Sequence, residues 1–255
     1  MEGVSGITTI EHTQRGSPEF AEACALLAAE VQTVVDAAFE CGATRVVVCD
    51  THGGGGPLQG GKMDPRAVYE TPAGDRWMPS LNNTFDGLIL LGQHARAGTL
   101  NGFLDHTISS ATWFEYRLNG KVCGEIAMAA AYAGHYDVPV IMVAGDKAAV
   151  AEGKALLGDI CGVAVKRGLG RNRAECVPVA EAHIRIKAAV CAAFRSAAAL
   201  KPYKPSLPAN VRLTLYRSDM ADRLAKQSGT QRIDARTVEK TITSFLDICP
   251  FQSGR

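Results

Sequence analysis

The chain has 255 residues, 47% of them hydrophobic, with 27 basic against 26 acidic side chains and a formal net charge of +1. That apolar content supports a packed core and excludes intrinsic disorder, and the charge balance offers no electrostatic footprint for a nucleic-acid partner. The most apolar stretch, Ile126 to Val143, is broken by His135 and Asp137, short of the roughly 18 uninterrupted apolar residues of a membrane span.

In chain order, Ser17 to Ala43 is predicted as a long helix, with Pro18 suited to its first turn and Gly42 as its stop. Arg45-Val46-Val47-Val48-Cys49 follows as a short β-branched run. Continuous apolarity of that kind suits a strand covered on both faces. It runs into Asp50-Thr51-His52 and a glycine loop, Gly53 to Gly56. A second such strand, Gly87 to Leu91, ends in Gly92-Gln93-His94, and a third, Val138 to Ala144, ends in Gly145-Asp146 before an alanine-rich helix. Alternation of strand and helix predicts an α/β fold, a mostly parallel, doubly wound sheet with helices on both faces.

Trp113 to Leu118 and Lys121 to Cys123 flank Asn119-Gly120. This dipeptide tolerates the positive φ angles of a tight hairpin turn, so an inserted β-hairpin is expected, with a helix starting at Gly124-Glu125. A further helix should run from Pro178 to about Leu200. The proline-rich stretch 201–208 reads as a linker between a catalytic portion, 1–200, and a smaller α+β portion, 209–255. In the latter, Val211 to Tyr216 alternates like a half-buried strand and two amphipathic helical patterns follow.

The eight cysteines have no C-x-x-C spacing. They read as small buried hydrophobes in a reducing cytoplasm, and neither a zinc ribbon nor a redox pair is supported. Absence of H-E-x-x-H, G-x-S-x-G and a phosphate-binding Gly-Lys-Ser/Thr likewise removes thermolysin-like, serine-hydrolase and P-loop readings. His52 and His94 are different, because each follows directly on a buried parallel strand. The carboxyl ends of such strands form the ligand-binding rim of an open α/β sheet. Two imidazoles with carboxylates nearby suit zinc, and Asp50 is placed to serve as a ligand or as an anchor behind one. Taken singly, Glu2 reads as a terminal charge, Glu125 as a helix-start carboxylate and His106 as a solvated loop residue. His12, His135 and His183 keep such readings, and Arg96 and Asn101 stand between surface and substrate-contact roles.

Six segments in order resemble one family: Met1 to Gly6, Asp50 to His52, Leu91 to Ala97, Leu104 to His106, Asn119 to Glu125, and Tyr136 to Asp146. They are similar to the bacterial D-aminopeptidases of the dipeptide-transport operon type, which are binuclear zinc peptidases. The resemblance implies an aminopeptidase acting on short D-amino-acid peptides through zinc-activated water. It implies zinc, two ions per subunit, on Glu2, His52, His94 and Glu125. It also implies a catalytic His106, which either protonates the leaving amine or hydrogen-bonds the oxyanion. A homo-oligomer, a ring-like decamer, is implied as well. Another metal-dependent amide hydrolase, or a non-catalytic oligomeric binding relative, are the alternatives on the same scaffold.

The family pattern also carries an apolar strand and an Asp two residues ahead of the Glu that Glu2 matches. The expectation is therefore a natural protein with about eight further residues before Met1, the length of a short strand. The alternative is a truncated, metal-poor relative.

Overall fold

The computed structural model of the protein describes residues 1–52, 56–58 and 63–251. Gly53 to Gly55 of the expected glycine loop lie outside the described residues. Helix α1 spans Glu19–Glu40, with Glu19 and Glu22 in its first turn opposite the positive end of the helix dipole. Its buried side chains Ala23, Leu27, Glu30, Val31, Val35 and Ala38 recur at helical spacing and turn one face inward. Strand β1 (Val47–Cys49) pairs in parallel with β2 (Val68–Glu70).

Strand β3 (Leu88–Gln93) precedes the hairpin β4 (Trp113–Leu118) and β5 (Lys121–Cys123). Asn119 and Gly120 turn between them with φ of 50° and 79°, the left-handed pair that the dipeptide predicts. Helix α2 (Glu125–Gly134) is buried from Ile126 onward. Its run of alanines lets it sit deep in the molecule, and at Gly134 a Cβ would fall 2.1 Å from the Tyr203 carbonyl oxygen. Strand β6 (Val140–Asp146), buried at every residue, leads into α3 (Lys147–Leu157), then β7 (Cys161–Gly170) and β8 (Arg173–Cys176). Helix α4 (Val179–Ser196) packs along α1. Beyond it come β9 (Ala209–Leu215), α5 (Ser218–Leu224), β10 (Thr230–Arg232) and β11 (Thr237–Ile242).

The strands β3, β6 and β7 form the parallel heart of a sheet in the order β3-β6-β7-β8, with β8 antiparallel at one edge. This is the mixed α/β architecture expected, with α1 and α4 covering one face through Ala37, Ala38, Ile186 and Val190. A second, antiparallel sheet runs β10-β11-β9-β4-β5. The hairpin and the C-terminal strands therefore share one sheet across the 201–208 stretch, which itself holds neither helix nor strand.

Two expectations need correction. The second C-terminal helical pattern is absent: after α5 the chain forms β10, β11 and a short 3-10 turn at Phe245–Asp247. Pairing with β9 satisfies the backbone of β11 and buries Val238 and Ile242, which outweighs a weak helical period. Nor are all cysteines thiols, since Cys41 at the end of α1 is joined to Cys191 of α4 in a disulfide. The other six cysteines form no disulfide.

Candidate metal centre

A cavity of about 680 Å³ is lined by β1 and β3 and by the residues that follow their carboxyl ends. Its walls are the apolar side chains of Val46 to Cys49 and Leu88 to Leu91, with Leu27 and Val31 of α1 beside them. Glu2, His52, His94, His106 and Glu125 all line it.

His94 stands one residue past β3 and is 7% exposed. Its Nδ1 lies 3.0 Å from the Ala95 carbonyl oxygen. A carbonyl only accepts, so Nδ1 carries the ring hydrogen and Nε2 keeps its lone pair. His106 repeats the device, with Nδ1 donating to the Leu104 carbonyl at 2.7 Å. The two rings stack at 3.8 Å between centroids, inclined by 14°. Both Nε2 atoms face Glu125 Oε1, at 3.5 Å from His94 and 3.8 Å from His106. Glu125 opens α2 directly after the hairpin, and its Oε1 also accepts the Ile108 N–H at 2.8 Å. One ligand atom from each of His94, His106 and Glu125 lies within 4.8 Å of the others. Burial lowers the pKa of His94 against the pull of Glu125, which keeps the ring neutral and fit to bind a cation.

The second cluster joins Glu2 to His52, whose Nε2 is 2.8 Å from Glu2 Oε2. The Met1 nitrogen sits 3.1 Å from the same Nε2 and 3.2 Å from Glu2 Oε2. Burial pushes the Glu2 carboxyl up, but His52, the Met1 ammonium and His94 together hold it well below the usual carboxylate range. Asp50 acts behind this cluster: its Oδ1 accepts the His52 N–H at 3.1 Å and its Oδ2 the Leu58 N–H at 3.2 Å. Imidazoles anchored through Nδ1 at His94 and His106, with the Glu2 and Glu125 carboxylates beside them, are a donor set that fits zinc.

Arg96 and Asn101 are not among the residues lining the cavity. The Arg96 N–H instead donates to Glu152 Oε2 at 2.9 Å. His12 faces Thr9 and His135 packs edge-on against Tyr136, both away from the site. Sequence reasoning missed the carbonyl anchors of His94 and His106, because backbone partners leave no mark on residue identity. It also passed over Lys166, which is buried in the structure and whose place after Val163-Ala164-Val165 was the one available signal.

The profile of the M55 peptidase family, described as D-aminopeptidase, matches residues 1–252. A D-aminopeptidase of Bacillus subtilis (strain 168) is 31% identical over 209 residues, 80% of this chain and 75% of the relative. The solved structure of the Zn-dependent D-aminopeptidase DppA from Bacillus subtilis, described as a self-compartmentalizing protease, superposes with a TM-score of 0.93 at 27% identity. That match covers 98% of this chain and 92% of the other.

Proposed function

The chain belongs to the M55 family of D-aminopeptidases, and from that premise we propose a zinc-dependent aminopeptidase that removes the N-terminal residue of short D-amino-acid peptides. The observation that carries this reading is the convergence of His94 Nε2, His106 Nε2 and Glu125 Oε1 beside the Glu2–His52 pair on one cavity wall. Glu2, His52, His94 and Glu125 would hold the metal, two ions per subunit. When bound, zinc supplies a water acidic enough to deprotonate near neutral pH and a Lewis acid for the scissile carbonyl.

His106 performs the proton transfer. Its Nδ1 hydrogen is committed to Leu104, so Nε2 is the basic atom. That nitrogen takes the proton of the attacking water and gives it to the departing amine, as a general base and then a general acid. The stacked His94 ring holds the His106 ring in plane. An oxyanion contact would need a hydrogen on Nε2 from the start, which the Leu104 bond disfavours.

Cleavage of a D-alanyl dipeptide and its L counterpart, each with and without a chelator, tests the reading. D-selective, chelator-sensitive release of the first residue is expected. Equal cleavage of both peptides identifies a broader amide hydrolase, and no turnover with zinc bound favours a binding relative. The self-compartmentalizing relative supports a homo-oligomer whose sites face an interior, a decamer by the family pattern. Light scattering on the eluted protein checks the subunit number. Among the described residues no helix is long and apolar enough to cross a membrane. A cytoplasmic location rests on the cysteines outside the single Cys41–Cys191 disulfide, which itself favours an oxidising compartment, and fractionation tests it.

A further inference from the structure

Glu2 sits on no helix or strand, so something else must hold its carboxylate at the cavity. The turn 1–7 has backbone bonds from the Gly3 N–H to the Gly92 carbonyl at 3.0 Å and from Val4 to Met1 at 3.0 Å. The Ser5 N–H donates to the buried Glu30 at 3.2 Å. At the centre of the turn stands one ammonium. Lys166, on β7, is 3% exposed, and its Nζ donates to the Glu2 carbonyl at 2.6 Å and to the Ile7 carbonyl. The same Nζ lies 4.8 Å from the centroid of the Phe103 ring. Phe103 belongs to the loop that carries His106, and its own N–H donates to Asp146 Oδ2 at 3.0 Å.

We propose that Lys166 is the positioning residue of the metal centre: a buried clamp that closes the Glu2 turn with two hydrogen bonds and seats the His106 loop through the Phe103 ring. An ammonium has three donor directions and no acceptor. Here two go to carbonyls and the cation's remaining face meets the electron-rich ring, an attraction that strengthens when water is excluded. The Cys176 thiol also reaches the Ile7 carbonyl, at 3.6 Å, a weak donor beside the ammonium. A side chain without a donor takes this bond from the buried Glu2 carbonyl and leaves Ile7 only the weak thiol, and the turn must open to hydrate them. Opening moves the carboxylate of Glu2, the residue whose own carbonyl is clamped, away from His52. Lys166 thereby acts on the metal through Glu2 and touches no reacting atom.

The inference rests on the reading of Glu2 as a ligand, and the experiment separates the two. Full-length parent, Lys166→Met, Lys166→Arg and Glu2→Gln are compared by chelator competition for zinc and by the visible spectrum with cobalt(II). Lys166→Met is expected to weaken zinc binding roughly 10–100-fold, the usual effect of losing an outer-shell partner, and to show the cobalt spectrum of Glu2→Gln. Lys166→Arg, which keeps charge and donors, should restore the parent spectrum. A folded Met variant that binds zinc within about threefold of parent while Glu2→Gln does not overturns the clamp and leaves the ligand reading intact. Parent-like binding in Glu2→Gln overturns the ligand reading itself. Should the Met variant fail to fold, differential labelling of the parent decides: Lys166 should resist reductive methylation more strongly with zinc than without. Equal labelling in the two states overturns the clamp.

Discussion

An imidazole binds a cation or moves a proton only through the nitrogen that lacks hydrogen, so the carbonyls of Ala95 and Leu104 shape this site as much as the histidines do. Removing His94 or Glu125 takes a donor from the cluster, and His94→Ala or Glu125→Ala should emerge from dialysis with less zinc by elemental analysis. His106→Ala separates proton transfer from metal holding. A zinc content near parent with turnover reduced about 10²–10⁴-fold is expected for a lost general acid–base. Loss of zinc in that variant would make His106 a ligand, the role that its distance to Glu125 also permits. Glu30 gives a pH prediction. Burial pushes its carboxyl up to about 7 from 4.5, against the Ser5 hydrogen bond and the attraction of Lys166, and its Oε1 has no partner. An acid raised on folding stabilises in its protonated form: that contribution is complete below 4.5 and lost as pH rises through about 7. Glu30→Gln, fixed neutral, should gain roughly 3 kcal/mol on parent between acid and mildly alkaline pH in paired denaturant melts. A pH-independent difference counts against it.

Elements turn these residues toward one another. The strands β1, β3 and β6 were legible as runs of Val, Ile and Leu, but only β6 is buried at every residue; β1 and much of β3 are half-buried where they line the cavity. The hairpin was legible because Asn119-Gly120 meets a backbone requirement that few dipeptides meet. Strand β7 escaped notice: its apolar run is interrupted by Lys166, Arg167 and three glycines, and it is a strand because β6 and β8 pair with it. Strands β10 and β11 escaped for the same reason. At Gly3 an element edge meets the site directly, since an added Cβ would stand 2.2 Å from the Gln93 carbonyl oxygen. Gly3→Ala should therefore push the Glu2 turn off β3 and lower zinc occupancy, with little change in far-ultraviolet circular dichroism. Unchanged occupancy would show that the turn can shift without moving Glu2.

At the scale of the whole molecule, the segment past the proline-rich stretch completes the antiparallel sheet. Strand β9 lies between β4 and β11, and the Tyr116 hydroxyl donates to the Ile248 carbonyl at 2.7 Å. A fragment ending at residue 200 would expose the β4 edge and Tyr116, Leu118 and Ile126 around it. It should aggregate or be cut rapidly by protease, whereas the full chain resists. A protected fragment would mean that 1–200 folds by itself. What the sequence by itself determined was the α/β class, the hairpin and the strand-end placement of His52 and His94, because these follow from local pattern and from the geometry of parallel sheets. Tertiary structure alone decided that Glu2, His52, His94, His106 and Glu125 share one cavity, which ring nitrogen each of His94 and His106 presents, and that a lysine lies beneath Glu2. Those facts depend on contacts between residues far apart in the chain and on backbone carbonyls, and neither is encoded in the identity of any single side chain.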